Sequence, residues 1–453
     1  MIRRLGAAAV AAIALSGCSD GPDRPHLVLV SIDTLRWDYL GPYGYAEKHI
    51  SPTVNWLAEN GTVFNQAVAS AGTTIPSHGT MLTGLYPRQH GARSNFHALY
   101  PETDTIARAL TDAGYQTGVF TSTNIITKVG KLNRGFQADN LPAPGKPGIT
   151  GPQPGSVTLG EVEGWLDTLT PSEDPIFLFL HIWEPHEPYE VTEWGDERMG
   201  DYGDFLEDGV SVEDLRQRGQ EIRNSDEHVA ALQALYSGEV HAADRVLGQF
   251  FENWKRRGLL DNTVVIFTAD HGQGLGERKR MGHGPTHYEH VIRVPMIIAD
   301  FRDPEARRID TRVGTIDIAP TLAELAGLEP MFDWFGYSLL DPELLDPNQP
   351  YYVEVELRTE RDTVQRDDPW YDPDAVGVWA GDLKLISRHD EYRLLETYTD
   401  NSFPTPVDPE AEQTMFNYLS GLIDSFRETK IDFTEAELSE ETIKQLQGLG
   451  YVQ

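Results

Sequence analysis

Five apolar runs, dense in β-branched and aromatic residues, constrain this chain more than any other feature. They are HLVLVSID (26–33), QTGVFTSTN (116–124), PIFLFLHIW (175–183), TVVIFTAD (263–270) and VPMIIAD (294–300). Each reads as a parallel strand buried on both faces. Helical patterns lie between them. SPTVNWLAENG (51–61) offers a Ser cap, Pro at the first helical position and a closing Gly. TDTIARALTDAGY (103–115) and TIDIAPTLAELAG (315–327) carry apolar residues at helical spacing, and His228 to Gly258 reads as one long amphipathic helix. This alternation predicts an α/β fold, a mainly parallel sheet sandwiched by helices, over residues 26–344. VGVWAGDLKLISRHDEYRLLE (376–396) alternates like an antiparallel hairpin unit. It predicts a smaller C-terminal subdomain, 345–453, containing an antiparallel sheet. Residues 139–160, rich in Pro and Gly, read as a surface loop. Residues 190–226, polar and acidic, read as an insertion, either a lid near the cleft or a solvated excursion.

The 453 residues carry a net charge of -34. Such a surface repels nucleic acid, and no basic patch offsets it. Cys18 is the only cysteine, so no intramolecular disulfide forms. Its setting is informative: Arg3 and Arg4, an apolar run from Leu5 to Leu15 too short to span a bilayer, then LSGC. This resembles a bacterial lipoprotein signal. Residues 1–17 would be removed, a lipid on Cys18 would tether the protein to the membrane, and residues 18–25 would be a linker. Ser19 fits sorting to the outer membrane, hence a cell-envelope location. An ordinary signal peptide or a buried thiol is the alternative.

Strand ends deliver the chemistry. The first run ends at Asp33, the fourth at Asp270 with His271 next, and the third exits through His181, Glu184 and His186; GHG adds His283. A lone histidine is more often structural than ligating. Two carboxylates with several imidazoles can together hold a divalent cation, and the mixed donors allow Ca, Mn or Zn. GTTIPSHGTMLTG (72–84) reads as a loop turning into a helix, with Thr74 placed either to cap that helix or to act as a nucleophile.

LVLVSIDTLRWDYLGPYGY, TTIPSHGTMLTGLYPRQHG, EPHEPY, TADHGQGLGE, GHGPTHYEHVIRVPMII and GDLKLI together resemble the sulfatases of the alkaline phosphatase superfamily, in family order from Leu27 to Ile386; the ending GLGYV is similar to bacterial members. The resemblance implies one divalent metal, usually calcium. Asp33, Asp270 and His271 match metal positions and Thr74 the nucleophile, itself a ligand. His78 stands where the C/S-x-P-S-R signature has arginine. His186 and His283 match positions that contact the substrate's anionic group. Arg36 and Arg88 also match family positions; Arg36 is a candidate for substrate binding or for orienting the first loop, with a surface ion pair as the plainer role. A second, nitrogen-rich site from Glu184, His186 and His283 is the lesser alternative to a single metal. His90 reads as structural. Trp165, Trp183 and Trp194 read as core or as a sugar-binding wall.

Two departures matter. The family's Asp-Asp pair is Asp33-Thr34 here, and the nucleophile is Thr rather than the Cys or Ser that becomes formylglycine. Oxidised threonine is a ketone, which hydrates poorly, so the usual release of sulfate is closed. A hydroxyl beside a divalent cation has a lowered pKa and attacks directly. His78 would offset charge on the transferred group, and His186 or His283 would protonate the leaving alkoxide. The expected activity is hydrolysis of a small-molecule or glycan sulfate or phosphate (di)ester. The rivals are a catalytically impaired lipoprotein that binds anionic glycans and a phospho-group transferase.

Overall fold

The computed structural model describes residues 24–435 apart from 141–151, 170–173, 191, 193, 195–208, 285, 330–333, 356–374, 389–390, 397–405, 411 and 430–433. The expected leader, Cys18 and the closing GLGYV lie outside the described residues. The five apolar runs and one further segment form the sheet's long strands: β1 (His26–Ile32), β2 (Gly61–Val68), β3 (Gln116–Thr121), β4 (Ile176–Ile182), β5 (Thr263–Ala269) and β6 (Arg293–Asp300). Among the described residues the sheet has nine strands. Its order is Arg307–Ile309, β2, β6, β5, β1, β4, β3, Ala138–Asp139, with Val313–Gly314 also paired to β2.

β5, β1, β4 and β3 are parallel neighbours. β4 and β5 are buried along their whole length, and β1 everywhere but His26. Each such Val, Leu, Ile or Phe contributes about 1.5–3 kcal/mol by leaving water. β6 departs from the expected direction: it runs antiparallel to both β5 and β2. An unbroken apolar run reports burial on two faces and is silent on direction.

Helices cover both faces. The long one spans Asp226–Arg256, with the Ser225 hydroxyl accepting the His228 N–H at 3.2 Å. The Pro52–Glu59 helix starts at Ser51, but that hydroxyl accepts the Gly41 N–H instead of capping the helix. The loop expected over 139–160 is shorter than read. A helix, Gly155–Thr168, begins inside it because Thr158, Leu159, Val162 and Leu166 form a buried face. In the acidic insertion, Tyr189 bridges Val210, and Ser211 and Asp214 form a capping box on the Val212–Ile222 helix.

The C-terminal unit is a four-stranded antiparallel sheet, Tyr351–Glu354, Val376–Ala380, Leu383–Arg388 and Glu391–Glu396, covered by the Gln413–Glu428 helix. Its core continues into the main unit through Val68, Tyr86 and Ile292. A buried Lys384–Glu289 pair at 2.9 Å adds a polar tie.

Register places the chemistry. Ile32 lies opposite Ala269 on one side and Ile182 on the other. Asp33 and Asp270 therefore leave adjacent parallel strands side by side, where ligands of such sheets bind.

Candidate active site

Asp33, Asp270 and His271 offer ligand atoms within 4.8 Å of one another, all fully buried. Asp270 Oδ1 accepts the N–H groups of Thr34 (3.1 Å) and His271 (2.8 Å). Asp270 Oδ2 and both oxygens of Asp33 have no hydrogen-bond partner among the described residues. The His271 Nδ1 donates to the Gly272 carbonyl oxygen (3.0 Å), which turns Nε2 toward Asp270 Oδ2 at 3.4 Å. Burial, then repulsion from Asp270 and Glu187, pushes the Asp33 carboxyl well above its ordinary range; burial also raises Asp270. Buried carboxylates lacking donors are strongly disfavoured as bare anions. These oxygens fit a divalent cation, and a nitrogen from His271 completes a mixed donor set.

At the position of the family's second carboxylate, the Thr34 hydroxyl is buried with no hydrogen-bond partner among the described residues. The residue's backbone is left-handed, φ 55°, and its carbonyl accepts the Tyr236 hydroxyl at 2.8 Å. That hydroxyl oxygen also accepts the Arg36 N–H at 2.9 Å. The long helix thus pins the turn after β1.

The helix of the TTIPSHG motif spans Thr74–Thr83 with Thr73 as its N-cap. Thr74 is the first helical residue rather than the cap. Its hydroxyl is fully buried and makes no hydrogen bond among the described residues. The helix start is fixed against Asp270: Ser77 Oγ donates to the Asp270 carbonyl oxygen at 2.6 Å, and His78 Nδ1 lies 3.8 Å from Asp270 Oδ2. The amides of this helix start are mostly spent. Pro76 has none, Ile75 N–H bonds Asn95 Oδ1, and Ser77 N–H bonds the Thr73 carbonyl.

His78 differs from the expected cation. Nδ1 donates to the Thr74 carbonyl oxygen at 2.8 Å and Nε2 contacts Ser31 Oγ at 2.9 Å. Burial lowers its pKa, so a neutral ring anchors Thr74 instead of balancing charge.

His186 and His283 come together, Nε2 to Nε2, at 3.2 Å. The carboxylate that joins them is Glu187, not Glu184. Glu184 faces the other way and accepts the Gly155 N–H, closing the start of that helix. As proton donors to a leaving group the two rings are poorly arranged. Their Nδ1 atoms face the carbonyls of Glu187 and Gly72, so in neutral rings the protons sit there and Nε2 is an acceptor. Burial and the neighbouring His271 hold His283 well below the usual imidazole range.

Arg36 is buried, not at the surface. Its guanidinium is committed to Asp38, Glu277 and the Gln273 carbonyl, which ties three loops and leaves little for a substrate. Arg88 pairs with Glu354 and donates to the Phe426 carbonyl, joining the C-terminal unit. His90 packs on Gly79 and contacts the Pro76 carbonyl at 3.2 Å. Trp183 stacks on His186, Trp165 packs on Phe120, and Trp194 stacks on His241.

His181 was visible in the sequence but assigned no role. It is fully buried, with Nε2 at 3.3 Å from Asp33 Oδ2 and neither ring nitrogen hydrogen-bonded among the described residues. Register carries the signal: His181 lies opposite Ser31, and Asp33 is two residues on, on the same face.

A family model described as Sulfatase matches residues 25–328. The uncharacterized sulfatase YidJ of Escherichia coli strain K12 is 25% identical over 359 residues, 68% of each chain. The Delta 4,5-hexuronate-2-O-sulfatase of Bacteroides thetaiotaomicron is 25% identical over 385 residues, 75% of this chain and 77% of that one. The crystal structure of a phosphonate monoester hydrolase of Agrobacterium radiobacter superposes with a TM-score of 0.69 at 20% identity, covering 92% of this chain and 99% of that one. The chain belongs to the sulfatase family, ester hydrolases of the alkaline phosphatase superfamily.

Proposed function

We propose that this protein is a metal-dependent hydrolase of singly charged sulfate or phosphate (di)esters, with Thr74 as the direct nucleophile. The Thr74 hydroxyl carries this reading: it is buried, unspent, and fixed at a helix start tied to Asp270. Asp33, Asp270 and His271 would hold the divalent cation, calcium by family or manganese or zinc by donor set, and it would supply Lewis-acid charge to the hydroxyl and the substrate oxygens. Thr74 Oγ1 would form a bond to sulfur or phosphorus as the bond to the leaving oxygen breaks, its own proton passing to solvent and the leaving oxygen taking one from solvent. Water then attacks the same atom and returns the free hydroxyl. His78 fixes the Thr74 backbone as a positioning residue.

Charge favours the substrate class. Burial lowers the pKa of His78 and of His283, His186 Nδ1 is turned to the Glu187 carbonyl, and Arg36 is committed to carboxylates. Few cations are left for a doubly charged phosphate monoester. Sulfate monoesters, phosphate diesters and phosphonate monoesters each bear one negative charge. The hexuronate sulfatase relative supports a sulfated glycan as one candidate substrate. A lipid on Cys18 would hold the enzyme at the cell envelope.

Hydrolysis of nitrophenyl sulfate and bis(nitrophenyl) phosphate by metal-loaded protein is the test. At least one is cleaved, and Thr74→Ala loses about 100-fold or more, the scale of removing one catalytic group. If both esters are untouched, the glycan-binding lipoprotein takes its place. Transfer to an added alcohol would mark a transferase.

A further inference from the structure

We infer that His181 is a positioning residue for the strand-end cluster, its imidazole N–H holding the Asp33 carboxylate from the β4 side while Asp270 stands on the β5 side. The role rests on the proposed cation at Asp33, Asp270 and His271. Three neighbouring strands supply the groups. Asp33 follows β1, Asp270 follows β5, and His181 lies within β4. His181 is opposite Ser31, and the Asp33 N–H donates to the Ile182 carbonyl oxygen at 2.9 Å, so backbone bonds fix the two residues against each other. On the other edge of β4, the Ser122 N–H and Oγ both donate to the His181 carbonyl oxygen at 3.1 Å. The sheet itself, not a loop, sets the place of this ring.

His181 Nε2 lies 3.3 Å from Asp33 Oδ2, and both side chains are fully buried. That distance is about 0.1 Å beyond the usual N–H···O range. Neither ring nitrogen and neither Asp33 oxygen has a hydrogen-bond partner among the described residues. Buried polar atoms left in that state are costly. An imidazole carries at least one N–H. With the only proton on Nδ1, the Nε2 lone pair would face a carboxylate oxygen and be repelled. With a proton on Nε2, a small turn of either side chain closes a hydrogen bond. Carboxylates that bind metals are themselves hydrogen-bonded, and that second partner orients the ligand. The ring also braces the nucleophile's anchor. His78 Nε2 contacts Ser31 Oγ at 2.9 Å and its Nδ1 donates to the Thr74 carbonyl oxygen. The His78 and His181 rings meet edge to face with centroids 5.1 Å apart. One side chain therefore packs between Asp33 and the residue that fixes Thr74.

The test titrates Ca2+, Mn2+ and Zn2+ in turn into chelator-stripped full-length protein by calorimetry and follows the equivalent that Asp33→Asn abolishes. His181→Phe keeps a ring of similar shape and loses the N–H. In that variant the equivalent weakens at least tenfold, the scale of losing the partner of a metal ligand. Without metal the variant melts no lower than wild type, because two unpaired buried nitrogens are removed. His181→Gln, whose amide nitrogen reaches roughly as far along the side chain as Nε2, recovers most of the affinity. Should His181→Phe fail to fold, His181→Leu carries the comparison. Unchanged affinity in the folded Phe or Leu variant, or a Gln variant as weak as they are, overturns the role of His181 and leaves the metal site standing. A wild type with no equivalent sensitive to Asp33→Asn overturns both.

Discussion

The two candidate ligand clusters are built by different means. Asp33 and Asp270 stand at the ends of adjacent parallel strands, with positions set by the β1–β5 register and fixed backbone amides. His186, Glu187 and His283 come from two loops, joined through a stacked tryptophan, a glutamine and close glycine contacts. The first cluster is dominated by carboxyl oxygens without hydrogen-bond partners among the described residues, the second by two imidazole Nε2 atoms 3.2 Å apart. Strand ends place ligands through the sheet itself, whereas loops place them through side chains that other side chains must hold.

The largest effect is expected where the comparison is sharpest. Asp270→Asn removes a carboxylate that the sheet delivers directly. Turnover of the nitrophenyl esters falls by roughly 1,000-fold, the upper scale for losing a group that stabilises developing charge, and one metal equivalent is lost. A loss under tenfold would break the primacy of the strand-end cluster.

Glu187→Gln and Glu184→Gln separate the loop cluster from its neighbour. Glu187→Gln weakens metal affinity or activity by about 10–100-fold. Glu184→Gln leaves turnover within about threefold and lowers stability by less than about 1 kcal/mol, because the amide oxygen still accepts the Gly155 N–H. Steady-state kinetics and thermal melts of the two variants read both numbers. A reversed ranking would restore the reading that placed Glu184 in the site.

Metal removal tests the charge difference. Asp33 and Asp270 titrate above the ordinary value of 3.8 in the bare fold. The folded state then binds more protons than the unfolded chain above that value, so stability falls as pH rises. Chelated protein should lose melting temperature as pH increases above that value, and added divalent cation should flatten that slope. A chelated protein whose melting temperature rises with pH contradicts the assignment.

The smallest effect lies beside the loop cluster. Burial lifts Glu239 to about 8, and its carboxylate accepts the Glu190 N–H at 2.7 Å. Between its ordinary value of 4.5 and about 8 this group costs stability as pH rises. Glu239→Gln therefore gains on wild type in thermal melts as pH increases. A constant difference across that range would remove the titration.

The same contrast explains what the sequence made legible. Apolar runs ending in Asp33 and Asp270 announced both the sheet and the carboxylates clustered at its edge, because parallel strands are long, buried and open onto a binding edge. The antiparallel course of β6 was hidden, since residue pattern carries no direction. Thr74 was found by motif, while its place one residue inside the helix rather than at the cap depends on the backbone of Thr73. Glu187 was missed for Glu184 because loop side chains point where packing sends them, not at any fixed period. Arg36 looked like a surface group because nothing local discloses that Asp38 and Glu277 enclose it.

Direct attack by Thr74 is tested most closely by trapping its product. Metal-loaded protein is mixed with nitrophenyl sulfate or bis(nitrophenyl) phosphate, quenched in acid within the first turnovers, digested and analysed by high-accuracy mass spectrometry. The peptide containing Thr74 should carry the added mass of one sulfo or substituted phospho group, localised to that side chain and absent from Thr74→Ala. Turnover that proceeds while Thr74 stays unmodified at every quench time, with Thr74→Ala as active as wild type, would contradict the account.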